Sequence, residues 1–389
     1  MPPTIVVALT SFFALLGAVY VGWWQPIFTK LGDGREVRPV GNTGDCTTEP
    51  ALKACEKIVL HQPSGSLYLA CSTPESRTHW TPAVGRLNST GMSTTDYVAI
   101  YDPDTSKITR LNVVGFTSER GLSLHGMDVV PSSSDPKKLF VYLVNHRAPL
   151  TGVSEKVGAD SSVEIFSTVL GGSTMTHVKT VEDPAIITPN DVVGYPDGKS
   201  FYFTNDHGAK TGILRDVEIL GLKRTSVGYC DIDSGCTIVR SSMHANNGIA
   251  GARNNDTLYV ANSIAGGITV LETQADHSVV LADFIPTEYP IDNVSVDEAG
   301  HVWAAAFPKA LTTALVHFSF PSVAAPSAAY RVSLNTGTNA FYGEKYKVDR
   351  VFEDDGSLAS GITSVVHDSQ RHRLFLNGLA SPSLVICKS

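Results

Sequence analysis

The strongest constraint on this chain is a short pattern that recurs six times: an apolar strand, a polar turn and a second strand of alternating polarity. Residues 188–205 (TPNDVVGYPDGKSFYFTN) show the pattern most clearly. The other copies occupy residues 55–70, 126–143, 247–261, 293–305 and 362–376. Successive copies are spaced by roughly 45 to 75 residues, about the size of a four-stranded blade with its loops. The repeats therefore predict an all-β fold, a six-bladed β-propeller.

Composition agrees with this prediction. The chain has 389 residues, of which 42% are hydrophobic and 17% charged, and turn signals are frequent while helix signatures are scarce. The alternative all-β fold is a β-sandwich, which would be unusually large here and would not repeat one pattern six times. The formal net charge of -8 argues against a nucleic-acid partner.

The N-terminus differs from the rest of the chain. Residues 5–24 carry no charge, and about 20 apolar residues suffice to span a bilayer. We expect a retained signal-anchor rather than a cleaved signal peptide, because no clean small-x-small cleavage site is present. The predicted organisation is a signal-anchor or transmembrane segment at 1–24, a connector at 25–45 and the propeller at 46–389. The propeller is predicted to enter the secretory pathway, where it is either membrane-anchored or secreted.

The six cysteines fit an oxidising compartment. Cys230 and Cys236 flank a turn, and Cys55 and Cys71 flank a predicted hairpin. Cys46 and Cys387 remain, near the two ends of the propeller, where a bridge between them would close the ring. Glycosylation sequons begin at positions 88 and 255, and a third at position 293 is expected to be buried.

The first residues of the repeats are polar. Equivalent positions of successive blades surround one central channel, so residues far apart in sequence meet there. The residues at these positions are Glu56, His125, Asn190, Asp191, Asn247, Asp292 and Asn293. Carboxylate and amide oxygens are the ligands that calcium prefers, and nitrogen and sulfur ligands are mostly missing. Each residue alone reads as a turn or cap residue, but their common register predicts a calcium site.

A series of short motifs spans residues 35–389. They are REVRPV (35–40), Cys55-Glu56, LHGMDVV (124–130), LVNHRA (143–148), VEIF (163–166), PNDVV (189–193), FTNDH (203–207), NGI (247–249), DNVSVD (292–297) and a final LVICKS. In this order the motifs resemble the serum paraoxonase/arylesterase family, the calcium-dependent lactonases. The resemblance implies a six-bladed propeller, a Cys46–Cys387 bridge and a retained hydrophobic N-terminus.

The resemblance also implies two calcium ions in the channel. The catalytic ion would be held by Glu56, Asn190, Asn247, Asp292 and Asn293. A second, structural ion would use Asp191 and the backbone at Met127, but Lys57 stands where the family has the remaining carboxylate. Because an ammonium repels calcium, one catalytic ion is expected, and an ion pair between Lys57 and Asp191 is the alternative to the second.

Two histidines match the histidine dyad of the family. His125 opens a repeat, and His146 ends the second strand of the same copy. Either one alone would more often be a structural histidine. The resemblance implies that His125 deprotonates a water, that His146 orients His125 and raises its basicity, and that calcium polarises an ester carbonyl. Asp206 and His207 are expected to support this group. No Gly-x-Ser-x-Gly elbow occurs in the sequence, which argues against a serine nucleophile.

The predicted function is therefore calcium-dependent hydrolysis of lactones and aryl esters. Two alternatives stay open: a gluconolactonase-like enzyme that acts on sugar lactones, and a non-catalytic propeller that binds a partner and keeps calcium for rigidity. Three departures from the family keep the non-catalytic alternative open, namely Lys57, Phe307 where His-Pro is common, and Ala245 in place of an aromatic residue. The last two are expected to alter the pocket.

Overall fold

The six repeats fold as six mainly antiparallel sheets arranged around a channel in the computed structural model. The structure describes residues 3–41, 43–338, 340 and 343–389. Each repeat supplies the two innermost strands of one sheet. The inner strand of each blade contacts the inner strands of the blades before and after it, and the sixth contacts the first. The predicted six-bladed β-propeller is thus confirmed.

The strands of the described residues are, in chain order, β1 (Cys46–Glu49), β2 (Cys55–His61), β3 (Ser66–Cys71), β4 (Trp80–Thr81), β5 (Arg86–Leu87), β6 (Tyr97–Asp102), β7 (Lys107–Arg110), β8 (Asn112–Val114), β9 (Leu124–Pro131), β10 (Lys138–Arg147), β11 (Asp160–Val169), β12 (Thr174–Val181), β13 (Pro189–Gly194), β14 (Ser200–Asn205), β15 (Thr225–Asp231), β16 (Gly235–Met243), β17 (Asn246–Gly251), β18 (Thr257–Asn262), β19 (Gly267–Thr273), β20 (Val279–Pro286), β21 (Ile291–Val296), β22 (Val302–Ala306), β23 (Ser327–Leu334), β24 (Tyr346–Asp354), β25 (Ser364–Asp368), β26 (Arg373–Asn377) and β27 (Leu384–Lys388).

Helices are short except at the N-terminus. The α-helices are α1 (Pro3–Val19), α2 (Gln25–Lys30), α3 (Pro74–His79), α4 (Ser154–Val157) and α5 (Ile213–Asp216). Helical turns of 3₁₀ or π type are found at Tyr20–Trp24, Thr43–Asp45, Pro82–Val84, Ser89–Gly91, Glu218–Leu220 and Thr312–His317.

The blades follow the chain order. From the channel outward they are β2-β3-β6-β7, β9-β10-β11-β12-β8, β13-β14-β15-β16, β17-β18-β19-β20, β21-β22-β23-β24 and β25-β26-β27-β1. The last blade therefore takes its outer strand from the start of the propeller. Strands β1 and β27 pair antiparallel with Cys46 opposite Cys387, and a disulfide joins these two cysteines across 341 positions. The bridges Cys55–Cys71 and Cys230–Cys236 are also present, so all three predicted pairings are confirmed.

One apolar cluster fills each gap between neighbouring blades. Successive residues of one strand face different gaps: Val192 packs between the second and third blades, and Val193 between the third and fourth. Both faces of the inner strands are thus buried, which explains why these strands are continuous apolar runs. The hydrophobic core of the propeller therefore consists of these six clusters between blades, and polar residues line the channel.

The N-terminal helix extends further than the predicted anchor. It runs over Pro3–Lys30 with a π turn at Tyr20–Trp24, and by length and composition it can cross a membrane. Its last turn reaches the propeller, where Ile27 and Leu31 pack against Phe307 and Phe318. Residues 1 and 2 of the predicted anchor lie outside the described residues. The apolar helix and the three disulfides fit the secretory pathway.

Candidate active site

The predicted polar residues lie at one end of the channel because of a shared irregularity in the inner strands. The pairing of the inner strand shifts near its start in five of the six blades, as at Glu56, at Asn190 and Asp191, and at Asp292 and Asn293, whereas β25 pairs without a shift. Such bulges re-aim side chains next to active sites. The same shift occurs in β17 and β9. The repeat register was therefore a sound guide to which residues approach one another.

Hydrogen bonds connect the members of this cluster. The Asn293 amide donates to Glu56 Oε1 over 3.0 Å. His125 Nε2 lies 3.3 Å from Asn190 Nδ2 and 3.9 Å from Glu56 Oε1. Asn190 Nδ2 also donates to Asp206 over 3.4 Å. Glu56, His125, Asn190 and Asn293 therefore form one contiguous group.

Asn247 and Asp292 complete the group. Asp292 Oδ1 accepts from Asn293 over 3.4 Å. A side chain at Gly248, next to Asn247, would meet Asn293 at 2.6 Å, so the two inner strands approach as closely as a glycine permits. A glycine at position 126 has the same role, because a Cβ there would lie 2.3 Å from Asn190 O.

The electrostatics of the cluster favour a cation. Burial raises the pKa of Glu56 to about 7. Burial, followed by the neighbouring Glu56 charge, raises the pKa of Asp292 well above its usual range. Among the described residues, Asn190 Oδ1 and Asn247 Oδ1 are buried acceptors without a hydrogen-bond partner. A positive charge here would stabilise both carboxylates and satisfy the amide oxygens.

The donor set suits calcium rather than zinc. Within the described part of the chain, no group of three or more His, Cys, Asp or Glu side chains could hold a metal ion. The cluster instead mixes two carboxylates, Glu56 and Asp292, with amide oxygens. Calcium accepts such neutral oxygens, whereas zinc prefers imidazole and thiolate. The residues present therefore fit one calcium ion.

A lysine lies just below this cluster. Lys57 Nζ forms an ion pair with Asp191 and is within 3.4 Å of Val294 O. Asp191 Oδ2 also accepts from the Ile249 amide over 3.0 Å. The side chains of Lys57 and Asp191 are 6% and 0% exposed. The pair ties together inner strands of four blades and puts an ammonium beside Asp191, where a second calcium would need a free carboxylate.

Met127 lies with Lys57 at the wall of a separate cavity. This cavity, of about 250 Å³, opens at the opposite end of the channel, and Val129, Val192 and Val294 also line it. The Lys57–Asp191 pair separates it from the polar cluster.

The two predicted catalytic histidines are adjacent. Their ring centroids are 5.2 Å apart, and both side chains are 3% exposed. His125 Nδ1 and His146 Nε2 have no hydrogen-bond partner among the described residues, while His146 Nδ1 is 2.8 Å from Ser161 Oγ. Burial, and then the neighbouring His146, lower the pKa of His125 well below its usual value. Burial also lowers the pKa of His146 to about 4.

Asp206 and His207 lie beside this pair, as expected. His207 Nδ1 is 2.8 Å from Asp206 Oδ1. Burial would raise the pKa of Asp206, but the charge and hydrogen bond of His207, with help from Arg215, outweigh it and lower this pKa to about 2. Asp206 therefore stays ionised and links His207 to Asn190.

Several supporting residues were not predicted. Thr363 Oγ1 donates to Glu56 Oε2 over 2.6 Å, and the Trp80 indole donates to His146 O over 2.8 Å. Thr363 opens the sixth repeat, so the register could have identified it. Ser161 and Trp80 lie in segments that do not repeat, and no sequence pattern marks them.

Phe307 and Ala245, the two residues that were expected to alter the pocket, lie at the same end of the channel as the polar cluster. Phe307 is buried against Leu31 and Phe318, and its amide donates to Pro290 O close to Asp292. Ala245 precedes β17 in a left-handed conformation, with φ 50°. Phe307 thus adds apolar surface near the cluster.

The arylesterase family model matches residues 84–382. The chain belongs to the arylesterase family. Serum paraoxonase/arylesterase 1 of Rattus norvegicus is 24% identical over 360 residues, which cover 91% of this chain and 92% of the rat protein. Serum paraoxonase/arylesterase 2 of Gallus gallus is 27% identical over 250 residues, 63% of this chain and 64% of the chicken protein, which is under two thirds of its length.

A solved structure shows a similar fold. A luciferin-regenerating enzyme aligns with a TM-score of 0.51 at 14% identity, over 90% of this arylesterase-family chain and 96% of that chain. The likeness concerns the fold alone. Membership of the arylesterase family confirms the resemblance found in the motifs and supports a hydrolase with a small-molecule substrate.

Proposed function

We propose that this protein is a calcium-dependent hydrolase of lactones and aryl esters. One observation carries the proposal: the histidine pair and the oxygen-rich cluster share a boundary. His125 Nε2 contacts Asn190 and Glu56, and its ring lies 5.2 Å from that of His146. A base and a cation site are thereby neighbours, which hydrolysis of an activated carbonyl requires.

The histidines provide the base. Because burial lowers the pKa of both rings, they are neutral near pH 7 and can accept a proton. His125 takes a proton from water, the resulting hydroxide forms a bond to the acyl carbon, and the acyl C–O bond breaks. The departing oxygen receives a proton, so an ester gives an acid and an alcohol, and a lactone gives one hydroxy acid. Ser161 holds His146 in the orientation that supports His125.

The cluster provides the cation site. Calcium would be held by Glu56, Asn190, Asn247, Asp292 and Asn293. When bound, this ion supplies Lewis acidity toward the carbonyl oxygen. Thr363 and Asn293 orient the Glu56 carboxylate through their hydrogen bonds. The Lys57–Asp191 pair argues for one ion rather than two.

The surface around the site favours lipophilic substrates. The loops that follow the second strands of the blades expose large apolar side chains, among them Leu150 and Ile213, each 76% exposed, and Leu315 and Phe320 at 68% and 63%. The apolar N-terminal helix meets the propeller on the same side. The helix anchors the protein in a membrane with the channel mouth toward lipid, so lipophilic lactones and aryl esters have better access than sugar lactones.

Hydrolysis assays test the proposal. Long-chain, aromatic and sugar lactones are compared with and without a chelator, for the wild type and His125→Gln. We expect activity on the first two classes, loss on chelation, and a decrease of kcat by about 10² to 10⁴ in the variant. His372→Asn, in an exposed turn at the far end of the channel, is the control and should behave as wild type.

Two results would contradict the proposal. Activity that chelation abolishes but His125→Gln preserves would remove the dyad from the mechanism. A wild type that binds calcium and hydrolyses none of these compounds would instead indicate a binding module.

A further inference from the structure

Arg77 is a buried arginine with two hydrogen-bond donors that no described residue accepts. It is 2% exposed, and its Nε and Nη2 have no hydrogen-bond partner among the described residues. Arginine carries five N–H donors and stays charged in proteins. Burial raises the pKa of Asp96 and the Arg77 charge opposes this, so Asp96 balances part of the charge, while the two unpartnered donors remain available for a ligand.

The segment that carries Arg77 is attached to one catalytic histidine. Arg77 lies in α3, and the loop continues directly to Trp80, whose indole donates to the backbone carbonyl of His146 over 2.8 Å. The Arg77 carbonyl accepts from Thr81 Oγ1 over 2.8 Å, which holds the end of the helix in place. The position of Arg77 relative to His146 is therefore fixed.

The same segment is also attached beside the other histidine. Ser72 Oγ donates to Asp96 Oδ1 over 2.6 Å, and Asp96 Oδ2 accepts from the amide of Leu124 over 2.9 Å. Leu124 immediately precedes His125. Each oxygen of Asp96 therefore accepts a hydrogen bond from a group other than Arg77, and the Nε and Nη2 donors of Arg77 have no hydrogen-bond partner among the described residues.

The electrostatic influence of Arg77 agrees with this position. After burial, its charge is among the causes that lower the pKa of His125 and His146. It also opposes the effect of burial on Glu56. Glu56 has its own hydrogen bonds, to Asn293 and Thr363. Arg77 thus belongs to the same buried electrostatic environment as the histidines, and the Glu56 oxygens accept their hydrogen bonds from residues other than Arg77.

We propose that Arg77 binds the carboxylate that ester hydrolysis releases beside the two histidines. The planar fork of a guanidinium matches a carboxylate in two parallel hydrogen bonds. The inference rests on the proposed function, and it directs the acyl part of the substrate toward α3. Carboxylates of the same shape as the acyl product are then competitive inhibitors.

Carboxylate binding without turnover tests the proposal. The full chain in detergent, saturated with calcium, is titrated calorimetrically with benzoate and with benzyl alcohol. We expect benzoate to bind the wild type and to lose roughly 10- to 100-fold in affinity in Arg77→Met, the range for a hydrogen bond to a charged group. Arg77→Lys keeps the charge but not the fork and should lie between the two. Benzyl alcohol should bind both proteins alike.

An arginine outside the site provides the control. Arg331 lies in β23, its Nη2 pairs with Asp349 over 2.9 Å, and its Nε has no hydrogen-bond partner among the described residues. Because it lies on the third strand of another blade, Arg331→Met should change benzoate affinity by less than about threefold.

The possible outcomes separate cleanly. Equal benzoate affinity in wild type and Arg77→Met overturns the proposal, as does binding that depends on calcium and not on Arg77. If Arg77→Met does not fold, unchanged affinity in Arg77→Lys overturns it. A wild type that binds benzoate through Arg77 but hydrolyses no ester contradicts the proposed function and leaves the Arg77 site standing.

Discussion

Replacing Lys57 with methionine is expected to destabilise the propeller strongly. The substitution keeps most of the side-chain volume and removes the charge, so Asp191 remains as a buried carboxylate. One oxygen of Asp191 keeps the Ile249 amide, and the other has no partner among the described residues. With side-chain exposures of 6% and 0%, solvation of the remaining carboxylate compensates little for the lost ammonium. Breaking such a buried pair from one side costs about 3–5 kcal/mol.

Urea unfolding of the full chain in detergent measures this cost. With a slope of about 3 kcal/mol per molar, a loss of that size lowers the urea midpoint by roughly 1 to 1.7 M. Lys199→Met is the matched control, because its ion pair with Asp233 has side chains 51% and 68% exposed. Pairs that exposed contribute about 0–1 kcal/mol, so its midpoint should move little.

A double variant distinguishes the ion pair from simple packing. Lys57→Met combined with Asp191→Asn removes both charges and keeps an acceptor for the Ile249 amide. The double variant should recover on the order of 2 kcal/mol relative to Lys57→Met alone. The reasoning fails if Lys57→Met matches the surface control, or if the two substitutions destabilise additively.

Three further outcomes are expected. Since burial lowers the pKa of the base His125 well below its usual value and that of His146 to about 4, both rings stay neutral in weak acid, and kcat/KM at saturating calcium should stay level down to about pH 5; an acid limb near pH 6.5 would contradict this. Ser161→Ala releases His146 and should lower kcat roughly tenfold with KM unchanged, and an unaltered kcat would show that the hydroxyl does not orient the ring. Removing the Cys46–Cys387 bridge should cost roughly 5–6 kcal/mol and removing the bridge at Cys230 about 2, because they close 341 and 6 positions; equal urea midpoints for the two variants would refute the loop-length argument.

The fold was predictable because every repeat has to bury both faces of its inner strand against the neighbouring blades. An inner strand such as β13 must bury Val192 in one gap and Val193 in the next, so its apolar run recurs in every blade. The disulfide pairings followed, since Cys55 opposes Cys71 within one hairpin. The end of the N-terminal helix was less predictable, because its last turn is held by contacts between Ile27 and loops distant in sequence.

The sequence predicted those residues of the candidate site that occupy equivalent positions in the repeats. The equivalent positions of Glu56, Asn190 and Asp292 in their repeats were enough to predict that they lie at one end of the channel. The pairing shifts that aim these side chains depend on hydrogen bonding between strands and leave no mark in the sequence. Arg77 was missed for a related reason: it belongs to a loop found in one blade, and its position depends on a bond between Trp80 and the backbone of His146.

The joining of β1 to β27 has a consequence for biosynthesis. Cys46 leaves the ribosome 341 residues before the cysteine it pairs with, so five blades can form while the sixth still waits for its last strand. During that interval the sheet edges of the incomplete blade and the flank of the first blade are open to other chains. Only when the final strand is synthesised can β1 join the sixth blade and cover these edges. A nascent chain that stalls before residue 384 cannot pair β1 with β27 or form the Cys46–Cys387 bridge, even if its other blades are folded.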